Sequence, residues 1–368
     1  MRSSSASAGA AGSAQASSTA TAATTPDLIH RITAARVVVR GSVVDGSAVA
    51  WARARPMGQT GGVLGYFGPK GTFTHQALRT VSDDEAIAFP SVRAALDAVR
   101  TGEVRAAVVP IENSVEGGVS ATLDELIAGS PLAIIGEIVI PVEFGLYARE
   151  ELRLEDIRQV LTHGHAAAQC REWLATHLPN ANITEAGSTA GAAAEVSRPD
   201  SHYDAAVSAR VAGRLYGLTE LAYQIEDNPG AVTRFVLVGR PGPLPGRTGA
   251  DKTTLVAYMR EDHSGALLEI LQQFAVRGVN LSRIESRPTK TTLGSYCFSI
   301  DAEGHAHDRR MAEALEGLHR ICPTVHFLGS YPRADKVRPS IGIGFSDAEF
   351  DEASAWVQGL DRETVTRD

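Results

Sequence analysis

Val63-Leu64-Gly65-Tyr66-Phe67-Gly68-Pro69-Lys70-Gly71-Thr72-Phe73-Thr74 reads as a short apolar strand that runs through a glycine turn into the start of a helix. Gly68 and Gly71 permit the tight turn because neither carries a Cβ, and the hydroxyls of Thr72 and Thr74 flank the helix start. The same strand and helix alternation continues to about Arg240. Strand candidates are Val63 to Phe67, Ala106 to Ile111, Ala133 to Ile140, Gln159 to Leu161, Ala205 to Val207 and Arg234 to Val238. Strands separated by helical segments predict an α/β architecture with a largely parallel sheet.

Outward from this region the composition changes twice. Pro241, Pro243 and Pro245 with interleaved glycines make a linker over residues 242–251, because Pro and Gly punctuate regular structure. A second domain over 252–334 reads strand (Thr254 to Met259), helix (Leu267 to Val276), strand (Asn280 to Ser286), strand (Gly294 to Ile300), helix (Arg309 to Leu318), strand (Thr324 to Leu328). Leu267, Leu268, Leu271, Phe274 and Ala275 recur at helical spacing and predict one apolar stripe, while Tyr296, Phe298 and Ile300 alternate as in a strand. That β-α-β-β-α-β order is ferredoxin-like. Residues 335–368 read as a tail. Residues 1–61 read as a low-complexity extension, since the first twenty-six are mostly Ser, Ala, Thr and Gly with one Arg and no acid, too little apolar surface to order a core.

A chain of 368 residues is long for one core and is expected to hold two domains besides its extensions. Its 43% hydrophobic and 21% charged content is that of a globular protein, and no run approaches the ~18 apolar residues a membrane span needs. A net charge of -8 with no basic cluster opposes binding to phosphate backbones, so no nucleic acid partner is expected. Cys170, Cys297 and Cys322 are odd in number and widely spaced. They form no disulfide framework and no Cys-x-x-Cys motif, which points to a reducing cytoplasm and to cysteines used for packing.

In open sheets, ligands bind beyond the carboxyl ends of strands, where loops enter helix N-termini with unpaired N–H groups. Several polar stretches fall there: Thr72 to Thr74, Glu112-Asn113-Ser114, Thr162-His163-Gly164-His165 with Gln169, Ser188-Thr189, and Asp227-Asn228-Pro229-Gly230 before Thr233-Arg234-Phe235. Each alone is what a helix cap or turn would also use. Together they describe a site rich in hydroxyl and amide donors that suits a small carboxylate. The competing chemistries lack their signatures. His163-x-His165 has no third ligand nearby in sequence, and neither a phosphate-binding loop, a Gly-x-Ser-x-Gly elbow nor a dinucleotide fingerprint occurs. No metal and no cofactor is expected.

In order and spacing, Gly65 to Thr74, Pro110-Ile111-Glu112-Asn113-Ser114-Val115-Glu116-Gly117, and Ile225-Glu226-Asp227-Asn228 leading to Thr233-Arg234-Phe235 resemble the prephenate dehydratase family. The second domain resembles the ACT regulatory module often fused to it, through Gly265-Ala266-Leu267 and Asn280-Leu281-Ser282-Arg283-Ile284-Glu285-Ser286-Arg287-Pro288. The resemblance spans Gly62 to about Ala334. It implies a bilobal, periplasmic-binding-protein-like catalytic domain over 62–241 and cofactor-free conversion of prephenate to phenylpyruvate in L-phenylalanine biosynthesis.

The resemblance further implies that Thr233, with Arg234 and Phe235, is catalytic and assists the departing hydroxyl. Thr72, Thr74, Asn113, Ser114, Thr162, Gln169, Ser188 and Thr189 would bind the substrate. Gly265, Ala266, Leu267, Asn280, Leu281, Glu285, Ser286, Arg287 and Pro288 would bind phenylalanine between subunits of a homodimer or homotetramer, giving feedback regulation. Thr162-His163-Gly164-His165 stands where the family commonly reads Ser-His-Pro-Gln. The departure leaves a non-aromatising prephenate decarboxylase as an alternative, beside a non-catalytic sensor of amino acids or prephenate.

Overall fold

The computed structural model describes residues 62–289 and 296–360, all within one compact unit of the chain, Val44–Asp368. The expected extension over 1–61 lies outside the described residues.

The first lobe is a sheet built from β1 (Leu64–Phe67), β2 (Ala86–Phe89), β3 (Ala106–Asn113), β4 (Gly117–Gly118), β5 (Ala133–Pro141) and a strand from much later in the chain, β11 (Val232–Gly239). Its order is β2-β1-β3-β11-β5, with β4 on β3. Helices α1 (Phe73–Arg79), α2 (Val92–Thr101) and α3 (Ser120–Ile127) pack on it. In α2 the Ser91 hydroxyl accepts from the Ala94 N–H, and Val92, Ala95, Leu96 and Val99 bury one helical face. An N-cap and an amphipathic stripe are what make this segment a helix.

The second lobe holds β6 (Phe144–Ala148), β7 (Gln159–Thr162), α4 (Gly164–Gln169), α5 (Arg171–His177), β8 (Asn182–Glu185), α6 (Thr189–Val196), β9 (Ala205–Ala209), α7 (Arg210–Leu215) and β10 (Thr219–Tyr223). Its sheet order is β10-β6-β9-β7-β8. Two segments connect the lobes, one between β5 and β6 and one between β10 and β11. They are tied together where the Val142 N–H donates to the Ala231 carbonyl at 2.8 Å and the Phe144 N–H donates to Glu226 at 2.9 Å.

The expectation of a largely parallel sheet is corrected. β11 runs antiparallel to both β3 and β5, and β6 runs antiparallel to β9 and β10. The chain returns to the first lobe through β11, and a strand inserted between two that run the same way bears the same relation to both, here antiparallel.

The third unit is β12 (Asp251–Tyr258), α8 (Ala266–Ala275), β13 (Leu281–Pro288), β14 (Tyr296–Glu303), α9 (Arg309–Ile321) and β15 (Thr324–Pro332), with order β13-β14-β12-β15. The ferredoxin-like order expected from sequence is present; Gly294, where the third strand was expected to start, lies outside the described residues. One face of this sheet buries Leu255, Phe298 and Ile300 against α8 and α9. Val256, Cys297, Leu328 and Tyr331 on the opposite face join the first lobe's core beside Ile134, Val236 and Val238.

Two further expectations change. The buried stripe of α8 is Ala266, Ile270 and Phe274, whereas Leu267, Leu268 and Val276 remain exposed. The expected tail contains a helix, α10 (Asp347–Gly359), started by a capping box between Ser346 and Glu349. Cys170, Cys297 and Cys322 are free and buried.

Candidate active site

Thr233 enters β11 directly opposite Asn113 at the end of β3. The Asn113 side-chain amide donates to the Thr233 hydroxyl oxygen at 2.9 Å. Its orientation is fixed, because the Asn113 side-chain carbonyl accepts the backbone N–H groups of Val115 and Glu116 at 2.8 and 3.1 Å. The amide nitrogen therefore has to face Thr233. Thr233 accepts from Asn113, so its own proton remains to be given, and among the described residues no acceptor takes it. Ser114 closes the same corner, with its N–H on the Val232 carbonyl and its hydroxyl oxygen under the Val232 N–H, both at 2.9 Å.

The lobes meet next to this corner. Glu116, on the loop after Asn113, reaches across to the second lobe, where His165 Nδ1 lies 2.6 Å away and Gln169 Nε2 donates at 3.0 Å. His163 caps α4 through the His165 N–H, and the two imidazoles stack at 5.1 Å. Burial, then the neighbouring His165, lowers the His163 pKa. A second meeting point is Gly71, with φ of +91°. A Cβ there would lie 3.2 Å from that of Ala212 and 3.4 Å from that of Ala190. Only glycine meets both requirements without strain, and the contact brings the Thr72 turn up to the helix opened by Ser188 and Thr189.

The expected substrate ligands divide into groups. Asn113, Ser114 and Gln169 lie at this junction. Thr72 caps α1 by accepting the His75 N–H and donates to the Pro69 carbonyl at 3.0 Å, while Thr74 is buried. Ser188 caps α6 by accepting the Gly191 N–H at 2.9 Å, and Thr189 is half-buried in its first turn. Thr162 is fully buried and donates to the Val207 carbonyl at 2.8 Å, which makes it part of the second lobe's core.

Asp227, part of the motif before Thr233, accepts the Glu172 and Trp173 N–H groups at the start of α5. It is a cap supplied from a distant segment. Glu116, which bridges the lobes, was not singled out as a site residue from sequence. Its signal was present in the run Glu112 to Gly117, but a surface glutamate after a turn looks like any solvated acid.

Arg234 and Phe235 sit elsewhere than Thr233. The Phe235 ring is buried with Tyr66, Val108, Ile138 and Ile140. Arg234 faces the third unit, where its guanidinium meets Glu137 at 2.7 Å, Asp301 at 2.5 Å, Glu112 at 3.2 Å and the Tyr331 hydroxyl at 2.9 Å. In this structure the Arg234 donors are engaged by protein groups, and Phe235 packs the core.

In the third unit the expected ligand residues lie on both sides of β13, an edge strand. Arg287 donates to Asp124 of α3 at 2.5 Å and to Glu285 at 3.0 Å, and the Glu285 carboxylate rests on Gly118, where a Cβ would approach it to 2.0 Å. Both turn toward the first lobe. Ser286 and Pro288 are exposed, as is Asn280, and Leu281 is half-buried. Gly265, in the left-handed conformation, precedes α8 with Ala266 buried and Leu267 exposed. A cavity of about 310 Å³ lies away from Thr233, at the seam between the first lobe and the third unit, lined by Ile135, Ile138, Leu237, Pro332 and Arg333. Among the described residues no cluster of His, Cys, Asp and Glu has the form of a metal site, and no helix is long and apolar enough to cross a membrane.

Comparison with known proteins supplies the family. A family model described as Prephenate dehydratase matches residues 64–243, and one described as ACT domain matches 253–320. A prephenate dehydratase of Amycolatopsis methanolica is 46% identical over 302 residues, covering 81% of this chain and 98% of that protein. The crystal structure of prephenate dehydratase from Arthrobacter aurescens in complex with L-Phe superposes with a TM-score of 0.77 and 55% identity, over 82% of this chain and all 100% of that one. A structure described as GqqA, a novel type of quorum quenching acylase, follows at TM-score 0.67 and 30% identity over 73% of this chain and 97% of that one. The chain belongs to the prephenate dehydratase family and carries an ACT domain after its bilobal catalytic region.

Proposed function

We propose that the chain catalyses decarboxylating dehydration of prephenate to phenylpyruvate with Thr233 as the group that assists the leaving hydroxyl. The reaction takes up one proton: the ring carboxylate leaves as CO2, its bonding electrons enter the ring, and the C–O bond at the far end breaks to release water. Aromatisation drives the reaction, so the protein's task is to fix geometry and place a proton donor at the departing oxygen. The observation that carries this reading is the Thr233 hydroxyl, whose oxygen accepts from Asn113 while its own proton has no acceptor among the described residues. Asn113, Ser114, Gln169, Thr74, Ser188 and Thr189 supply donors around the lobe junction for the two carboxylates, and Thr72 orders the turn beside them by capping α1. An acylase reading would need a nucleophile with a base in hydrogen-bond reach, and the partner of Thr233 is an amide.

The proposed organisation is a catalytic domain over 62–241, a linker over 242–251 and a regulatory domain over 252–334, with α10 in the segment that follows. Phenylalanine is the proposed regulatory ligand, bound where Gly265 to Leu267 of one subunit faces the exposed edge of β13 in another. Exposed Leu267, Leu268, Val276, Ile284 and Tyr296 give that domain an apolar surface suited to a homodimer or homotetramer. Three free buried cysteines fit a reducing cytoplasm. Incubation with prephenate tests the proposal: phenylpyruvate is expected, and a dihydro-hydroxyphenylpyruvate would instead indicate decarboxylation without loss of the hydroxyl.

A further inference from the structure

Strand β11 presents adjacent residues to two different places, Thr233 to Asn113 and Arg234 to the regulatory sheet. Two of the four groups that hold the Arg234 guanidinium belong to that sheet: the Asp301 carboxylate on β14 at 2.5 Å and the Tyr331 hydroxyl on β15 at 2.9 Å. Asp301 has no exposed surface and is itself fixed by the Thr254 hydroxyl at 2.6 Å and by Arg283 at 3.0 Å. Arg283 continues to Glu285 at 2.9 Å, Glu285 to Arg287 at 3.0 Å, and Arg287 to Asp124 at 2.5 Å, back in the catalytic region. Burial by itself favours the neutral acid at Asp301, but Arg234 and Arg283 outweigh it and keep the carboxylate ionised.

This anchor sits beside an irregularity in one of the two ladders that flank β11, since the pairing with β5 runs unbroken from Val232 to Leu237 while that with β3 does not. The register between β11 and β3 shifts between Arg234 and Phe235, so Thr233 and Arg234 pair with Asn113 and Glu112 beyond an irregularity. A bulge disrupts the ladder locally, and on the β3 side the contacts of the Arg234 guanidinium add to the hold on this end of the strand.

We infer that Asp301 is a positioning residue for the reaction: its carboxylate, supplied by the regulatory domain, anchors Arg234 and thereby fixes Thr233 against Asn113. The inference rests on the proposed role of Thr233. It gives the regulatory sheet a direct hold on the catalytic strand.

The test is a double-mutant cycle in the full chain, because Asp301 and Thr233 share no contact and independent effects would multiply. Asp301→Asn should lower kcat by about tenfold in the native background but by less than about threefold beside Thr233→Ser, whose hydroxyl has already lost its fixed placement. Equal factors in both backgrounds, or an unchanged kcat, overturn the inference. If Asp301→Asn does not accumulate as folded protein, Tyr331→Phe removes one hydroxyl from the same guanidinium and is read in the same cycle. It is then expected to cost about threefold in the native background and nothing further beside Thr233→Ser, and equal factors again overturn the inference. Thr233→Val separates the two claims: full activity in that variant sinks the role of Thr233, whereas an inactive Thr233→Val with an undiminished Asp301→Asn sinks only the positioning role.

Discussion

Asn113 gives its side-chain amide to the Thr233 hydroxyl across 2.9 Å, and two backbone N–H groups on the other end of that amide keep it from turning over. The pair makes Thr233 an acceptor toward the protein and leaves its proton to be given elsewhere. Asn113→Asp keeps the size of the side chain and reverses the bond, since a carboxylate can only accept. The Thr233 proton would then be held by the protein, and kcat should fall by about 100-fold, the lower end of what a positioned proton donor contributes. Steady-state kinetics on prephenate checks this.

Glu116 joins the lobes through His165 and Gln169. Exposed pairs of this kind are worth about 0.2–1 kcal/mol. Glu116→Ala is expected to raise KM up to about fivefold with kcat nearly unchanged, as removal of uniform binding does. A fall in kcat with KM unchanged would instead place Glu116 in the chemistry.

Gly71 combines a φ of +91° with the 3.2 Å approach of Ala212 across the lobe junction. Gly71→Ala should cost about 1–2 kcal/mol from backbone conformation alone. It should also hold the lobes apart, so KM rises together with the loss of stability. Urea unfolding and steady-state kinetics on the same sample read both.

Asp301 is ionised inside the protein because Arg234 and Arg283 lower its pKa below the ordinary carboxylate value in spite of burial. A depressed folded pKa means that its stabilisation is complete above the unfolded value, roughly 3.9, and is lost as the pH falls through that value toward the folded one. At neutral pH, Asp301→Asn should destabilise by about 3–5 kcal/mol, the cost of leaving buried cations without their partner. The difference from the native chain should shrink as denaturant unfolding is repeated below about pH 4, since the unfolded native chain then takes up a proton at Asp301 that the folded one does not.

Much of this fold was legible because its signals are local. Val63 to Thr74 carries its strand, turn and cap in consecutive residues, and the regulatory domain shows its order through Phe298, Ile300 and the helices beside them. The insertion of β11 was not legible, since Arg234 to Val238 reads as the same apolar strand whether its neighbours run parallel or antiparallel. Edge strands such as Asn182–Glu185 were missed because one polar face and a short span leave little pattern. The helix after Ser346 was missed despite its capping box, which is the signal that would have found it. At the site, Thr233 and Asn113 could be named from sequence, but not the division of labour around them. Arg234 next to Thr233 reads from sequence as a brace for the loop or for a carboxylate, and only the tertiary packing of β11 shows that its guanidinium meets Asp301. Thr162 carries the same hydroxyl as Thr72, and burial alone separates core from cleft.

The central claim is that Thr233 delivers a proton to the departing ring hydroxyl, and identification of the product formed from prephenate by the native chain and by Thr233→Val tests it most directly. Phenylpyruvate from the native chain, with turnover lost in a Thr233→Val variant that still folds, is the expected result. Phenylpyruvate formed at the native rate by Thr233→Val, or a native product that keeps the hydroxyl, would contradict it.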